Sequence, residues 1–241
     1  MENRMNLAKR PRRPSAGGYA RGDETRQRII DAAIALFGEN GFDRASTRDI
    51  AAAAGVNAPA LQYYFESKEG LYKACAEYIT ADLRARYTPV MKQISDALKN
   101  NADAHTLIDA YLHTQALTLD TVLVQTHLSK ARLVGREMAG ESPNVASEML
   151  QKKIKQPINK LMLSLLARIM HTQPGDAITR IRLLTLKGMV LAFYYPPGAS
   201  LELLGWKEID TAKNAMIKAA VQEQTRTLLL SWHDAGKHKA S

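Results

Sequence analysis

From Asp23 onward, apolar residues recur at the three-and-four spacing of amphipathic helices. Ile30, Ala33, Ile34 and Phe37 form one stripe, widened by Ile29 and Leu36, while Arg26, Asp31 and Glu39 lie off it. Asp23 suits an N-cap, and Asn40-Gly41 supplies residues that tolerate positive φ at the far end. Ser46-Thr47-Arg48-Asp49 has the spacing of a capping box, in which Ser46 and Asp49 satisfy each other's first-turn groups. It opens a short helix, Ile50 to Ala54, that stops at Gly55. Asn57 then caps a second short helix, with Pro59 tolerated in the first turn and Leu61 and Phe65 inward, four apart. Ser67 starts a longer helix that should run to Tyr87, because Pro89 forbids continuation. Further helices are expected over 90–100, 104–119, 121–138, 144–171, 176–194 and 210–234. Their breaks fall at Gly140 to Pro143, Gln173-Pro174-Gly175 and Pro196-Pro197-Gly198. No segment sustains alternation, so no strand is required. The chain reads as all-α.

Composition bounds the function classes. The 241 residues suit one large domain or two small ones, and the hydrophobic and charged fractions, 46% and 24%, are those of a globular protein. A single cysteine, Cys75, excludes an internal disulfide and a cysteine zinc cage, and its place beside Leu71, Ala74 and Ile79 suggests a small buried hydrophobe. The N-terminus is basic without a following apolar stretch, and the longest apolar run, Gly188 to Tyr195, falls short of the roughly 20 residues a bilayer span needs. A soluble, cytoplasmic protein without a membrane partner is expected. The six histidines show no tight metal spacing, and no phosphate loop, nucleophile elbow or His-Glu-x-x-His is present. Neither an enzyme nor a cofactor is implied.

The net charge of +9 is uneven. Residues 1–22 carry six basic side chains against one acidic, within an Arg-, Pro- and Gly-punctuated segment that reads as a flexible arm. Residues 23–72 carry five basic against eight acidic. The arm suggests a polyanion partner; it either enters a minor groove or adds only non-specific attraction.

The stretch from Ser46 to Phe65, a capped short helix, a turn on Gly55 and a second short helix, has the pattern of a helix-turn-helix. Gly55 can adopt the left-handed turn, and Val56 can pin the two helices. Ile50, Ala51, Val56, Leu61 and Phe65 can close a small core with Ile30, Ile34 and Phe37.

Thr25 to Ile79 resembles, without a gap, the DNA-binding half of the TetR family of transcriptional regulators. It carries the Ile-x-x-Ala-Ala-x-x-Leu-Phe core, then Gly-Phe, Thr-Arg-Asp-Ile-Ala, Ala-Gly-Val, Tyr-Tyr-Phe and Ser-Lys-Glu-x-Leu. The resemblance implies that Asn57, Ala58, Pro59, Gln62 and Tyr63 face the groove floor. It places Thr47, Arg48, Tyr64 and Lys68 at the DNA, with Thr47, Tyr64 and Lys68 on phosphates. The family's common Leu-Tyr-x-His-Phe appears here as Leu61-Gln62-Tyr63-Tyr64-Phe65. Gln62 therefore either reads an adenine edge or faces solvent.

Farther along, Ser129-Lys130, Arg136-Glu137-Met138, Ser142-Pro143 and Lys155-Gln156-Pro157-Ile158 resemble the C-terminal domain of CecR-like (YbiH-like) members. So does Val190-Leu191-Ala192-Phe193 followed by Leu204-Gly205-Trp206. Candidate ligand-facing residues are Tyr111, His127, Arg136, Met138, Met149 and Phe193. Each has a bland counterpart, Arg136 as a solvated helix end and the others as core filler.

Together these readings divide the chain into a flexible basic arm (1–22), a three-helix DNA-binding head (23–70) and a helical regulatory and dimerisation body (71–241). The implied function is a DNA-binding regulator, expected to be a repressor, that holds a palindromic double-stranded operator as a homodimer and is released by a small-molecule effector. The alternative is an interaction module or constitutive DNA binder controlled by a protein partner. The dimer seam is expected on the last two long helices, from Ile178, Ile181, Leu184, Leu186 and Val190 on one and Ile217, Val221, Leu228 and Leu229 on the other.

Overall fold

The structure, a computed structural model, describes residues 16–123, 128–138, 148–193 and 198–240. Among these there is no strand. Helices α1 (Ala16–Arg44), α2 (Thr47–Ala53) and α3 (Ala58–Phe65) lead into the long α4 (Lys68–Lys99). Then come α5 (Ala104–Leu123), α6 (Leu128–Met138), a π-helical turn (Gln151–Lys155) that passes directly into α7 (Gln156–Met170), α8 (Ala177–Leu191), the short α9 (Ala199–Leu204) and α10 (Thr211–Ala240).

The local signals act where the sequence places them. The Asp49 amide donates to Ser46 Oγ at 3.1 Å, the Ala60 amide to Asn57 Oδ1 at 2.9 Å, and the Gly70 amide to Ser67 Oγ at 3.0 Å. Asp49 reaches back to the Ser46 hydroxyl, which donates to its carboxylate at 2.6 Å. Gly41, at φ +80°, breaks the helical geometry inside α1. Gly55, at φ +66°, closes α2 with paired bonds from Val56 N–H to the Ala51 carbonyl (2.9 Å) and Gly55 N–H to the Ala52 carbonyl (3.1 Å). That pairing is a Schellman cap, which fixes the angle at which the chain enters α3.

Several expectations are corrected. The first helix begins at Ala16, ahead of the expected cap at Asp23, so the chain from 16 to 22 is helical; the rest of the arm lies outside the described residues. Pro89 does not end its helix, and α4 runs through it to Lys99. Pro89 and Ala85, whose carbonyl loses its amide partner, are both exposed, so solvent can satisfy that group. Tyr87, Val90 and Ile94 are buried on either side of the proline, and this packing keeps the rod continuous. The expected 144–171 helix contains the π turn, and α9 was not anticipated. The breaks at 140–143 and at 196–197 lie outside the described residues.

Three cores organise the molecule. The first joins Ile30, Ile34, Phe37, Ile50, Leu61 and Phe65 to the start of α4 and also takes in Leu133, Leu150 and Ile154. Phe37, Phe42 and Tyr72 meet there, with ring centroids 4.9 to 5.8 Å apart. Cys75 is fully buried in it, and burial, reinforced by Asp31, pushes its thiol well above the ordinary value. The second core lies among α4, α5, α7, α8 and α10; the third joins α5, α8 and the first turns of α10. Ile217, Val221 and Leu229 are therefore buried within the subunit, as are Leu186 and Val190. They stabilise the body and are unavailable as a seam, whereas Ile178, Ile181 and Leu184 stand exposed on α8.

Candidate functional site

The head presents α3 on a buried base. Leu61 and Phe65 point into the first core, which leaves Ala58, Pro59, Gln62 and Tyr63 outward. Tyr63 is 82% exposed, an unusual position for a large aromatic side chain that no partner covers. Tyr64 is half-buried, edge-on to Tyr63 with centroids 5.3 Å apart. Asn57 spends its carbonyl oxygen on the cap, which leaves its amide nitrogen for other contacts. Arg48 is exposed and Thr47 half-buried at the start of α2. Lys68 donates to the Asp43 carbonyl at 3.2 Å and lies 4.6 Å from the Phe42 ring centroid, so its ammonium is anchored at the head's edge. Between α3 and α4, Glu66 takes φ +60°, and the Gly70 backbone approaches so closely that a Cβ there would lie 2.4 Å from the Phe65 carbonyl oxygen.

Below the head, α4, α5, α6, α7 and α8 surround a cavity of about 660 Å³. This lies within the 300–1,000 Å³ or so of small-molecule sites. Its depth is built from buried residues including Ile79, Tyr111, Thr114, Met162 and Leu186. The exposed members of the lining, Gln151, Leu184, Lys187 and Gly188, mark its mouth. Burial raises the Tyr111 phenol far above its usual range, so it stays neutral. Tyr87 donates to Thr118 Oγ1 at 2.9 Å on the α5 wall.

Among the described lining residues cationic side chains outnumber carboxylates. Asp82 is the one carboxylate among the described lining residues, against Lys130, Lys155 and Lys187. Lys130 and Arg86 both hold Asp82, at 3.2 and 3.3 Å. Burial opposes ionisation of Asp82, but those two cations outweigh it and hold the pKa below the usual 3.8. Lys187 donates to the neutral Asn159 side-chain oxygen. Desolvation first, and the Lys155 charge second, lower the Lys187 pKa from 10.5, so the ammonium end is poorly hydrated although much of the residue is open to solvent.

Helix α6 ties the cavity to the head. Lys130, Ala131 and Val134 line the cavity. Arg136, one turn on, donates from Nε to the Gly38 carbonyl at 3.0 Å and from Nη2 to the Glu39 carbonyl at 2.8 Å. Arg132 lies 3.9 Å from the Glu39 carboxylate. The contact is close enough that a Cβ on Gly38 would lie 2.7 Å from the Ser129 carbonyl oxygen.

Of the residues expected to face a ligand, Tyr111 lines the cavity. Arg136 does not; it clasps the end of α1, a partner 97 and 98 residues away that no local pattern reveals. Met149 and Phe193 are half-buried and outside the lining, Phe193 packing on the third core. His127 and the Met138 side chain lie outside the described residues. The lining lysines were not anticipated; Lys130 and Lys155 stood in motifs quoted for their resemblance alone, and Lys187 carried no signal. Among the described residues, no cluster of three or more His, Cys, Asp or Glu could hold a metal ion, and no helix is long and apolar enough to cross a membrane.

Comparison with known proteins matches residues 29–75 to the model of bacterial regulatory proteins of the tetR family. Residues 108–231 match the C-terminal domain of the HTH-type transcriptional dual regulator CecR. CecR of Shigella flexneri is 28% identical over 202 residues, 83% of this chain and 89% of its own. The regulatory protein RaaS of Mycobacterium tuberculosis is 43% identical over 65 residues, 27% of this chain and 30% of its own. Among solved structures, NalD, the secondary repressor of the MexAB-OprM multidrug efflux pump in Pseudomonas aeruginosa, superposes with a TM-score of 0.51 at 20% identity, over 85% of this chain and 96% of that one.

Proposed function

The chain belongs to the TetR family of DNA-binding transcriptional regulators, with a CecR-type C-terminal domain, and from that premise we propose that it is a repressor released from a palindromic operator by a small molecule in the body cavity. The observation that carries this reading is α6, one helix that lines the cavity and grips the last turns of α1. A ligand that prefers a different α6 position shifts the head between states with different operator affinity.

In this reading residues 1–22 are a basic arm, 23–70 the reading head and 71–241 the regulatory body. Gln62 and Tyr63 meet base edges, Asn57, Ala58 and Pro59 approach the groove floor, Thr47, Tyr64 and Lys68 hold phosphates, and Arg48 lies at the DNA. Two heads are brought to two half-sites by a homodimer, supported by the exposed Ile178, Ile181 and Leu184 on α8. The existence of a cavity favours ligand control over a constitutive binder.

Operator selection from random duplexes, followed by fluorescence anisotropy, tests the reading. The selected site should be a two-fold repeat, and Gln62→Ala or Tyr63→Ala should weaken it at least tenfold while melting stays unchanged. Recovery of no preferred sequence, or full affinity in both variants, would overturn it.

A further inference from the structure

We propose that the cavity takes a neutral molecule with an apolar body and a hydroxyl group, the hydroxyl donating to the side-chain oxygen of Gln115 and accepting from the Tyr111 phenol. The proposal rests on the cavity being the effector site and adds the chemical class of the effector. Tyr111, Thr114, Gln115, Thr118 and Thr121 all line the cavity, and their three- and four-residue spacing gathers them on one face of α5. Gln115 is 4% exposed, and its Nε2 donates to Thr225 Oγ1 of α10 at 2.9 Å. The Thr225 hydroxyl is itself directed at Met189 Sδ, at 3.7 Å, so it accepts from Gln115 and fixes which way the amide lies. Oε1 of Gln115 is thereby left buried without a hydrogen-bond partner. Such an atom bears the cost of its lost hydration until a donor reaches it.

The rest of this wall favours the same class. Thr114, Thr118 and Thr121 each donate to a carbonyl one turn back, at 2.7 to 2.9 Å, so what they can offer a ligand is a lone pair. Thr118 already accepts from Tyr87. Tyr111 makes no hydrogen bond to a described residue, and its buried phenol stays protonated, which makes it an available donor. A hydroxyl both donates and accepts, and so suits the Gln115 and Tyr111 pair; an ether can only accept. The charged lining groups are engaged within the protein: Lys130 with Asp82, which Arg86 also holds, and Lys187 with Asn159, while Lys155 likewise has a partner. An anion brought to α5 would meet lone pairs. A cation would lose its hydration with no unpaired carboxylate among the described lining residues to replace it. Ile79, Leu83 and Met162 take the apolar body.

Equilibrium dialysis of the full-length protein at pH 7.5 against naphthol, methoxynaphthalene, naphthoate and naphthylmethylamine, one apolar body with four head groups on the same ring carbon, tests the assignment without DNA. Naphthol should bind at least fivefold more tightly than the ether, and more tightly than either ion. In Gln115→Met, which keeps the length of the side chain, the naphthol-over-ether preference should fall to near one while the ether's affinity is retained. Tyr111→Phe should weaken naphthol and ether alike, since both lose the donor to their oxygen. The wild-type ranking is a test on its own if a variant fails to fold. Naphthoate or the amine binding as tightly as naphthol overturns the assignment and leaves the cavity reading intact. So does an ether bound as tightly as naphthol, or an undiminished preference in folded Gln115→Met. Binding by none of the four overturns both.

Discussion

Replacing Arg136 with alanine removes two hydrogen bonds from a guanidinium to the Gly38 and Glu39 carbonyls, which lie in the last turn before Gly41 breaks the helix. Carbonyls at a helix end lack intrahelical amide partners, and a cation there also complements the helix dipole. A hydrogen bond to a charged group contributes about 1.5–3 kcal/mol when fully withdrawn from water. Arg136 is half-buried, so water replaces much of what is lost, and about 1–2 kcal/mol for both bonds together is the reasonable expectation. Amide exchange should then show the second half of α1 roughly 5–30-fold less protected in Arg136→Ala. The urea midpoint should fall correspondingly. Arg136→Lys should recover part of the loss, because one ammonium cannot reproduce the two-pronged geometry. Gly38→Ala approaches the same seam sterically, driving a methyl against the Ser129 carbonyl, and should give the same exchange pattern. Unchanged α1 protection in Arg136→Ala would refute the view that α6 holds the head through this residue.

Other expectations follow from single contacts. Gly70→Ala should cost about 1–3 kcal/mol in a denaturation titration, because its methyl would meet the Phe65 backbone oxygen and open the α3–α4 angle; operator affinity should fall with it. Cys75 should resist Ellman's reagent in the folded protein and react on unfolding, since burial raises its pKa and closes access; rapid labelling under native conditions would contradict this. Asp82 has a folded pKa below the ordinary value, so its ion pairs stabilise above the usual carboxylate range and that contribution disappears as pH falls through the lowered value. Urea midpoints of wild type and Asp82→Asn should differ at pH 7 and converge as the pH falls below the ordinary carboxylate range. Deleting residues 2–21 should weaken operator binding and flatten its salt dependence, since residues 23–72 are net acidic without the arm; an identical salt slope would remove the arm from the reading.

What could be read from the sequence tracks the distance over which each interaction acts. Ser46, Asn57, Ser67 and Gly55 satisfy groups within a few residues, so spacing alone locates the short helices and their turn. Pro89 shows the reverse: the local rule stops the helix, but buried Tyr87, Val90 and Ile94 carry it onward. Apolar period identifies a buried face but not what covers it, which is why Ile217 and Val221 looked like a dimer seam and instead pack in the subunit core. The cavity was less legible still. Its lysines come from three elements and acquire meaning only when α6, the π turn and α8 are brought together, and Arg136 likewise depends on a partner far along the chain.

If the cavity is the effector site, as proposed, the seam on α6 also sets how large a signal it can send. A hundredfold change in operator affinity needs about 2.7 kcal/mol of difference between two states. Moving α6 by about 1 Å would stretch the 2.8 and 3.0 Å bonds of Arg136 beyond hydrogen-bond range, a loss of the same order. Movement the other way is blocked, since the Gly38 and Ser129 backbones already approach more closely than any side chain would permit. A helix held on one side by directional bonds and on the other by steric contact has few intermediate positions. On the proposed reading, occupancy at Lys130, Ala131 and Val134 would be transmitted as a choice between a clasped and an unclasped α1, rather than as a graded drift of the head.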